Sequence, residues 1–237
     1  MRDITLLLSD YAEKIGIYLT KEQLCAFQTY AELLMQWNEK MNLTAIKEPG
    51  EIAMKHFIDS LTIFSCIELK KEAKVIDVGT GAGFPGIPMK IYREDIQLTL
   101  LDSLNKRLIF LEEVCSQLHL ETKRIHARAE QAGRDFSLRM KFDIVTARAV
   151  APLRILCEYC LPFVRFDGVF VAMKGPNAQQ EIKEAQNAIQ VLGCELEEVQ
   201  TFVLPDGSCR SILVIRRQKS FSGEFPRHGS KIAKNPL

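Results

Sequence analysis

The sequence predicts an α/β fold: a mostly parallel sheet with an antiparallel hairpin at its end and a helical extension in front of it. Three observations predict it. From residue 74 onward, short apolar runs alternate with amphipathic stretches, the rhythm of strands covered on both faces. The first run ends in a glycine-rich loop, "VGTGAGFPG", with a helix expected after it, which is the strand–turn–helix order of a nucleotide site. Residues 1–70 show helical periodicity and no convincing strand. The expected boundaries are a helical extension over 1–72, a ligand-binding domain over 73–218 and a basic tail over 219–237.

In "KEQLCAFQTYAELLMQWNEKMNL" the residues Leu24, Phe27, Tyr30, Leu34 and Trp37 recur at steps of three and four, one face of a helix. Thr20 in front of it and Gln23 three positions on form a capping box. A second helix is expected through "EIAMKHFIDSLTIF", with Pro49-Gly50 separating the two. "KVIDVG" (74–79) and "IQLTLLD" (96–102) are the first two strands. "LNKRLIFLEEVCSQL" (104–118) is amphipathic, with Leu104, Leu108, Leu111 and Leu118 near one face. "KRIHAR" (123–128), "KFDIVTAR" (141–148) and "DGVFVAMKG" (167–175) are strands three to five, and "LRILCEYCLPFV" and "NAQQEIKEAQNAIQVL" are helices. "CELEEVQTFVLP" and "SILVIRRQ" flank the turn signal Pro205-Asp206-Gly207 and form a hairpin.

The 237 residues are 47% apolar with a net charge of +1, which excludes a disordered chain and a strongly basic protein. The charge is uneven. Residues 210–237 carry seven Lys or Arg against Glu224 alone, +6, leaving −5 for residues 1–209. A basic tail on an acidic body calls for a polyanionic partner. Seven irregularly spaced cysteines, no secretory leader and no apolar run near the ~20 residues of a membrane span give the expectation of a soluble, cytoplasmic protein with free thiols. Cys157 and Cys160 form C-x-x-C inside a helix without a second ligand pair, so buried thiols are expected there and no metal.

Sheets of this kind bind ligands beyond the carboxyl ends of their strands. That places Gly79–Gly86, Asp102, Arg128–Glu130 and Arg148–Val150 on one rim. The loop carries two overlapping patterns. Asp77, Gly79, Gly81 and Gly83 spell D-x-G-x-G-x-G, suited to the adenosine of a methyl donor; Gly81, Gly83 and Gly86 spell G-x-G-x-x-G, suited to a dinucleotide. Asp102, 19 residues after Gly83, can accept both ribose hydroxyls of either ligand. Asp77 separates them. A carboxylate beneath the loop repels pyrophosphate and suits the cationic S-adenosylmethionine. Pro85 and Pro88 are awkward if a helix is already under way at Gly83. The methyl donor is the preferred reading and an NAD(P)-linked oxidoreductase the alternative.

The acceptor is narrowed by what is missing. The stretch after the fourth strand reads "TARAVAPL", not the [DN]-P-P-[FYW] of amine methylation, and no Pro-Cys pair offers a nucleophile for pyrimidine carbon. Guanine N7 has an in-plane lone pair and no proton to lose, so alignment at about 3–3.5 Å matters more than a base. No catalytic residue is singled out.

"DVGTGAGFPGIP", "LLDSLNKRLIFLEEV" and "VTARAVAPL", with "WNEKMNLTAI", "HFIDSL" and "FPRHGSKIAKNPL", resemble the bacterial 16S ribosomal RNA guanine-N7 methyltransferase family over nearly the whole chain. One departure is "HGSKIA" after Pro-Arg, where the family tends to a basic residue and Gly-Thr-Pro. The resemblance implies a class I S-adenosylmethionine-dependent methyltransferase fold, Rossmann-like, acting on the small ribosomal subunit or its 16S rRNA; the oligomeric state is left open, with a monomer favoured, and no metal is expected. It implies a donor site at Gly79, Phe84, Ala129, Glu130 and Arg148, beside Asp77, Gly81, Gly83 and Asp102 from the loop reading. Phe84 is expected as an apolar wall and Arg148 at the donor carboxylate or an RNA phosphate. In the tail region Arg216, Arg217, Arg227, Lys231 and Lys234 are expected at RNA, so that removing 219–237 weakens RNA affinity and spares donor binding. His56 and Asp59, at i and i+3, are expected to fix the N-terminal helices against the sheet. Trp37, with Asn38 and Asn42, either stacks on an RNA base or belongs to the core stripe. A non-enzymatic rRNA-binding assembly factor is the remaining alternative.

Overall fold

The computed structural model describes residues 3–237. Helices α1 (Thr5–Lys14) and α2 (Lys21–Met41) open the chain. The capping box is made: Gln23 N donates to Thr20 Oγ1 at 3.2 Å and Thr20 N to Gln23 Oε1 at 3.0 Å, satisfying two amides that the first turn leaves unpaired. Asn42 ends α2 in the left-handed region at φ 48°. The second helical stretch is irregular: α3 (Pro49–Ile52), a π-helical turn over Ala53–Ile58, α4 (Asp59–Leu61) and a 3-10 turn over Thr62–Ser65. Pro49 and Gly50 therefore start this stretch rather than separate it from α2. Proline suits a first helical position because its missing N–H would find no partner there.

The alternating part follows as β1 (Lys74–Val78), α5 (Gly86–Tyr92), β2 (Gln97–Asp102), α6 (Asn105–Gln117), β3 (Thr122–His126), α7 (Ala129–Ala132), β4 (Phe142–Arg148), α8 (Leu153–Cys160), β5 (Val164–Lys174) and α9 (Ala178–Val191). Strands β6 (Cys194–Val203) and β7 (Cys209–Arg217) form the hairpin, and α10 (Gly229–Lys234) closes the chain. The sheet order is β3-β2-β1-β4-β5-β7-β6. Strands β1 to β5 run parallel, and β7 lies antiparallel between β5 and β6. The order reverses between β1 and β4, so the switch-point crevice opens above these two strands.

Strand β5 begins three residues before the expected Asp167. Asp167 takes φ 61°, and the register against β4 slips between Phe142 and Ile144. At Gly168 a side chain would come within 2.9 Å of the Asp143 carbonyl, so glycine is what lets the strand continue past the irregularity.

The N-terminal helices share one apolar core with α5, α6 and one face of the sheet, joining Phe27, Tyr30, Leu34 and Phe57 to Val75, Leu100 and Val171. Trp37 belongs to it, 5.7 Å from the Phe110 ring. Asn38 spends its amide on the backbone of Thr44, and Asn42 serves as the helix cap, so the core reading of Trp37 holds over base stacking. The opposite face buries Ile76, Leu101 and Val145 against α8 and α9. Each such side chain contributes roughly 1.5–3 kcal/mol relative to exposure. Cys157 and Cys160 lie in this second core, and burial pushes both thiols up. No helix among the described residues is long and apolar enough to cross a membrane.

The last residues are docked, not trailing. Phe225, Arg227 and Ile232 are buried, and Arg134 and Arg139 donate to the carbonyls of Pro226 and Phe225 at 2.8 and 2.7 Å.

Candidate active site

The glycine loop leaves β1 and turns back at once. Gly79, Gly81 and Gly83 take φ of 69°, 61° and 100°, the region that side chains enter at a cost. At Gly83 a Cβ would sit 2.8 Å from both Ile87 and Leu111 and 2.5 Å from the Tyr30 hydroxyl. Tyr30 donates to the Ala82 carbonyl, so α2 grips the loop from one side. Helix α5 starts only at Gly86. Pro88 then falls in its first turn, where no N–H is needed.

Asp77 faces the protein and not an opening. It is fully buried. Its Oδ2 accepts from Thr80 Oγ1 at 2.6 Å and Gly86 N at 3.1 Å, and its Oδ1 from Thr146 Oγ1 at 3.0 Å. Burial pushes its pKa up to about 6 against these hydrogen bonds. The direct attraction to a cationic ligand expected from the sequence is therefore not its geometry. It shapes the loop by tying it to α5 and β4.

Asp102 ends β2 and pins two elements. Gly81 N donates to Oδ2 at 2.9 Å and Leu104 N to Oδ1 at 2.8 Å. A carboxylate has about four acceptor positions, so capacity remains beyond these and the Arg107 contact at 3.3 Å. Asp102 lines a recess of about 100 Å³ with Gly79, Ala129, Glu130, Val150 and Tyr159. Four expected residues, Gly79, Asp102, Ala129 and Glu130, thus meet in one hollow at the strand ends. Tyr159 was not singled out from the sequence, whereas Val150 stood on the expected rim. Tyr159 stands between the two cysteines of α8, where the C-x-x-C pattern drew attention away from it.

Phe84 is not in that recess. Its ring is buried among His56 (4.4 Å, stacked), Tyr30 (5.5 Å) and Phe57 (6.1 Å). Arg148 lies over it at 4.8 Å. Arg148 itself donates to Asp59 Oδ2 at 2.8 Å, to the Lys55 carbonyl at 3.2 Å and to His56 Nδ1 at 3.2 Å. The guanidinium expected at a donor carboxylate or a phosphate ties the N-terminal helices to β4. His56 and Asp59 are the other half of that tie. His56 Nε2 bonds to Thr44 Oγ1 at 2.8 Å; with Nδ1 accepting, the proton sits on Nε2. Burial, with Arg148 beside it, lowers the His56 pKa to about 3.

A second cavity of about 590 Å³ adjoins the first, lined by Lys55, His56, Arg148, Lys174, Glu181 and Arg210 among others. Val150 lines both hollows. Its side chain lies directly over Gly79, where a Cβ would come within 2.7 Å of it. A larger hollow, about 690 Å³, opens at the opposite end of the sheet beside Lys74, Gln97, Thr122 and Phe142, the starts of β1 to β4. It is remote from the switch point. Among the described residues no group of three or more His, Cys, Asp or Glu is placed to hold a metal ion.

The cationic residues expected at RNA divide. Arg217 is buried and donates to the Val164 carbonyl at 2.7 Å. Arg227 is buried against Glu158 at 2.7 Å. Arg216 pairs with Glu197 at 2.6 Å. Only Lys231 and Lys234, on α10, are exposed. Arg217 and Arg227 are thus corrected to structural residues, because the body supplies the partners that composition alone could not reveal.

The family model described as "rRNA small subunit methyltransferase G" matches residues 23–212. The chain belongs to the rRNA small subunit methyltransferase G family. A relative bearing that name from Desulforamulus reducens is 48% identical over 241 residues and covers 100% of both chains. Two solved structures share the fold at low identity. TrmN from Thermus thermophilus has a TM-score of 0.54 and 15% identity, over 68% of this chain and 48% of its own. M. jannaschii TYW2 in complex with AdoMet has a TM-score of 0.50 and 16% identity, over 62% and 70%. The fold is that of class I methyltransferases, and the residues of this methyltransferase G family member that line the recess come from the ends of β1, β2, β3 and β4 and from Tyr159 of α8.

Proposed function

We propose that this protein transfers the methyl group of S-adenosylmethionine to N7 of a guanosine in 16S ribosomal RNA. The observation that carries the reading is the adjacency of the two hollows at the switch point, with Val150 lining both. The smaller one fits the donor's adenosine end in its chemistry. Asp102 and Glu130 offer carboxylates, Ala129 offers backbone, and Gly79 permits close approach. A site for a ligand of this size usually exceeds about 300 Å³, so movement of Val150 off Gly79 on donor entry is part of the proposal. The donor supplies an electrophilic methyl on a positively charged sulfur.

The larger hollow receives the base and its phosphate. Lys55, Lys174 and Arg210 line it, each beside a carboxylate of its own in Glu51, Glu181 and Asp59, and a polyanion would compete with those carboxylates for them. Guanine N7 presents its lone pair without losing a proton, so the step asks for alignment and not for a base. The local chemistry agrees: the Nδ1 lone pair of His56 is taken by Arg148, and the ring stays neutral near pH 7. Glu181 in the same hollow is paired with Lys174 at 2.7 Å and accepts from Leu153 N at 2.6 Å, so its charge balances that lysine.

Naked 16S RNA and small subunits lacking the modification, incubated with labelled donor and then cleaved chemically at N7-methylguanosine, test this. Scission at one guanosine is expected. Label incorporated without scission assigns another acceptor atom, and no label on either substrate removes the methyl-transfer reading.

A further inference from the structure

The C-terminal segment touches the donor recess from behind. Arg227 is clamped to Glu158 of α8: its backbone N donates to Oε1 at 2.6 Å, its Nε to Oε1 at 2.9 Å and its Nη2 to Oε2 at 2.7 Å. Glu158 has no solvent exposure and precedes Tyr159, a wall of the recess. Arg134 and Arg139, just after α7, hold the carbonyls of Glu224, Phe225 and Pro226. Two residues past the clamp, Gly229 lies against the Glu130 side chain. A Cβ on Gly229 would strike the carboxylate, with Cδ only 2.9 Å away. The segment is thus fixed to both helices that bound the recess, and its glycine sits where Glu130 must lie.

We infer that Gly229 and Arg227 are positioning residues for the methyl donor, the docked segment holding Glu130 in its place along the recess. The inference rests on the reading of Glu130 as a donor-site residue. Any side chain at 229 meets the Glu130 carboxylate, which must then shift from its place along the recess. The Glu158–Arg227 pair sets the depth at which the segment rides on α8. The tail thereby serves the donor, in addition to any RNA contact by Lys231 and Lys234.

Calorimetric titration of the full-length protein with S-adenosylhomocysteine tests this on four forms: wild type, Gly229→Ala, Glu130→Ala and the double variant. Gly229→Ala raises Kd about tenfold, the loss of one charge-assisted hydrogen bond, while Tm stays within about 2 °C of wild type. In the Glu130→Ala background the same substitution adds nothing, since the two act as one unit. If Glu130→Ala weakens binding and Gly229→Ala does not, the inference is wrong and the donor reading stands. Equal effects of Gly229→Ala in both backgrounds also overturn it, by showing a general disturbance. If Glu130→Ala leaves Kd unchanged, the donor reading of Glu130 falls and the inference with it. Should Gly229→Ala prove too unstable, Glu158→Gln replaces it. Weaker S-adenosylhomocysteine binding with faster amide exchange in α7 of the free protein supports the inference, and unchanged values of both overturn it.

Discussion

Arg148 Nη1 donates to Asp59 Oδ2 at 2.8 Å, across 89 residues of sequence, and this contact, with those to Lys55 and His56, fastens the irregular N-terminal helices to the end of β4. Arg210 Nε stands 3.2 Å from Asp59 Oδ1, within ion-pair range yet off the hydrogen-bond line, since Oδ1 is buried without a hydrogen bond. Asp59→Ala leaves two guanidinium groups facing each other in a half-buried site. A loss of about 3–5 kcal/mol is expected, as for a buried pair stripped of one partner. Urea unfolding at pH 7 measures it, and a loss below about 1 kcal/mol would show a pair screened like a surface one.

His56 gives the protein an acid-sensitive joint. Its pKa falls from 6.5 in the unfolded chain to about 3, through burial first and Arg148 second. Below pH 6.5 the unfolded chain takes up a proton that the folded ring refuses. Stability from this group is complete above 6.5 and drains as pH falls toward 3, by about 2 kcal/mol at pH 5. Asp77 acts oppositely: burial raises it from 3.8 to about 6, so its ionisation weakens the fold as pH rises through that window. His56→Gln removes the first effect and leaves the second. Relative to wild type, the variant gains about 2 kcal/mol between pH 7 and pH 5. Parallel pH–stability curves for the two proteins would show that the imidazole is protonated in the fold.

The loop glycines differ in what surrounds them. Gly83→Ala meets Ile87, Leu111 and the Tyr30 hydroxyl and adds strain at positive φ. A loss of about 3 kcal/mol or more is expected from overpacking and strain together. Gly81→Ala meets nothing closer than the Gly79 carbonyl at 3.9 Å and bears only the strain, about 1 kcal/mol. Thermal melts of the two variants rank them; equal Tm values would contradict the packing described.

Lys231 and Lys234 are the exposed cations of α10. Replacing both with Ala lowers the slope of log affinity against log salt for 16S RNA by about 0.7 per lysine that touches a phosphate. Arg227→Ala behaves differently. It strips Glu158 of its partner and is read in stability, with about 3–5 kcal/mol at stake. An unchanged salt slope in the lysine variant would assign α10 to the fold alone.

How much of this was legible in the chain follows from which forces act locally. The Thr20–Gln23 box, the helical stripe through Phe27 and Tyr30, and the strand–helix alternation are short-range patterns, and the structure carries each of them. The convergence of Gly79, Asp102, Ala129 and Glu130 followed from topology, because parallel strands bring their carboxyl ends to one rim. Asp77, Phe84, Arg148, Arg217 and Arg227 have surroundings that the sequence did not show, for a common reason. Each has a partner more than 50 residues away, in Thr146, Tyr30, Asp59, Val164 and Glu158 respectively. Composition counts such charges and rings but cannot say what neutralises or covers them.

Two of the holds on the glycine loop reach it from opposite directions along the chain. Tyr30 precedes Ala82 by 52 residues, while Thr146 follows Asp77 by 69. During synthesis the tyrosine is already outside the ribosome when the loop emerges, but the threonine is not. A nascent chain halted before β4 thus carries the loop with the tyrosine hold made and the threonine hold missing, and ribosome-tethered chains of increasing length should acquire affinity for the nucleoside only once residue 146 has cleared the exit tunnel.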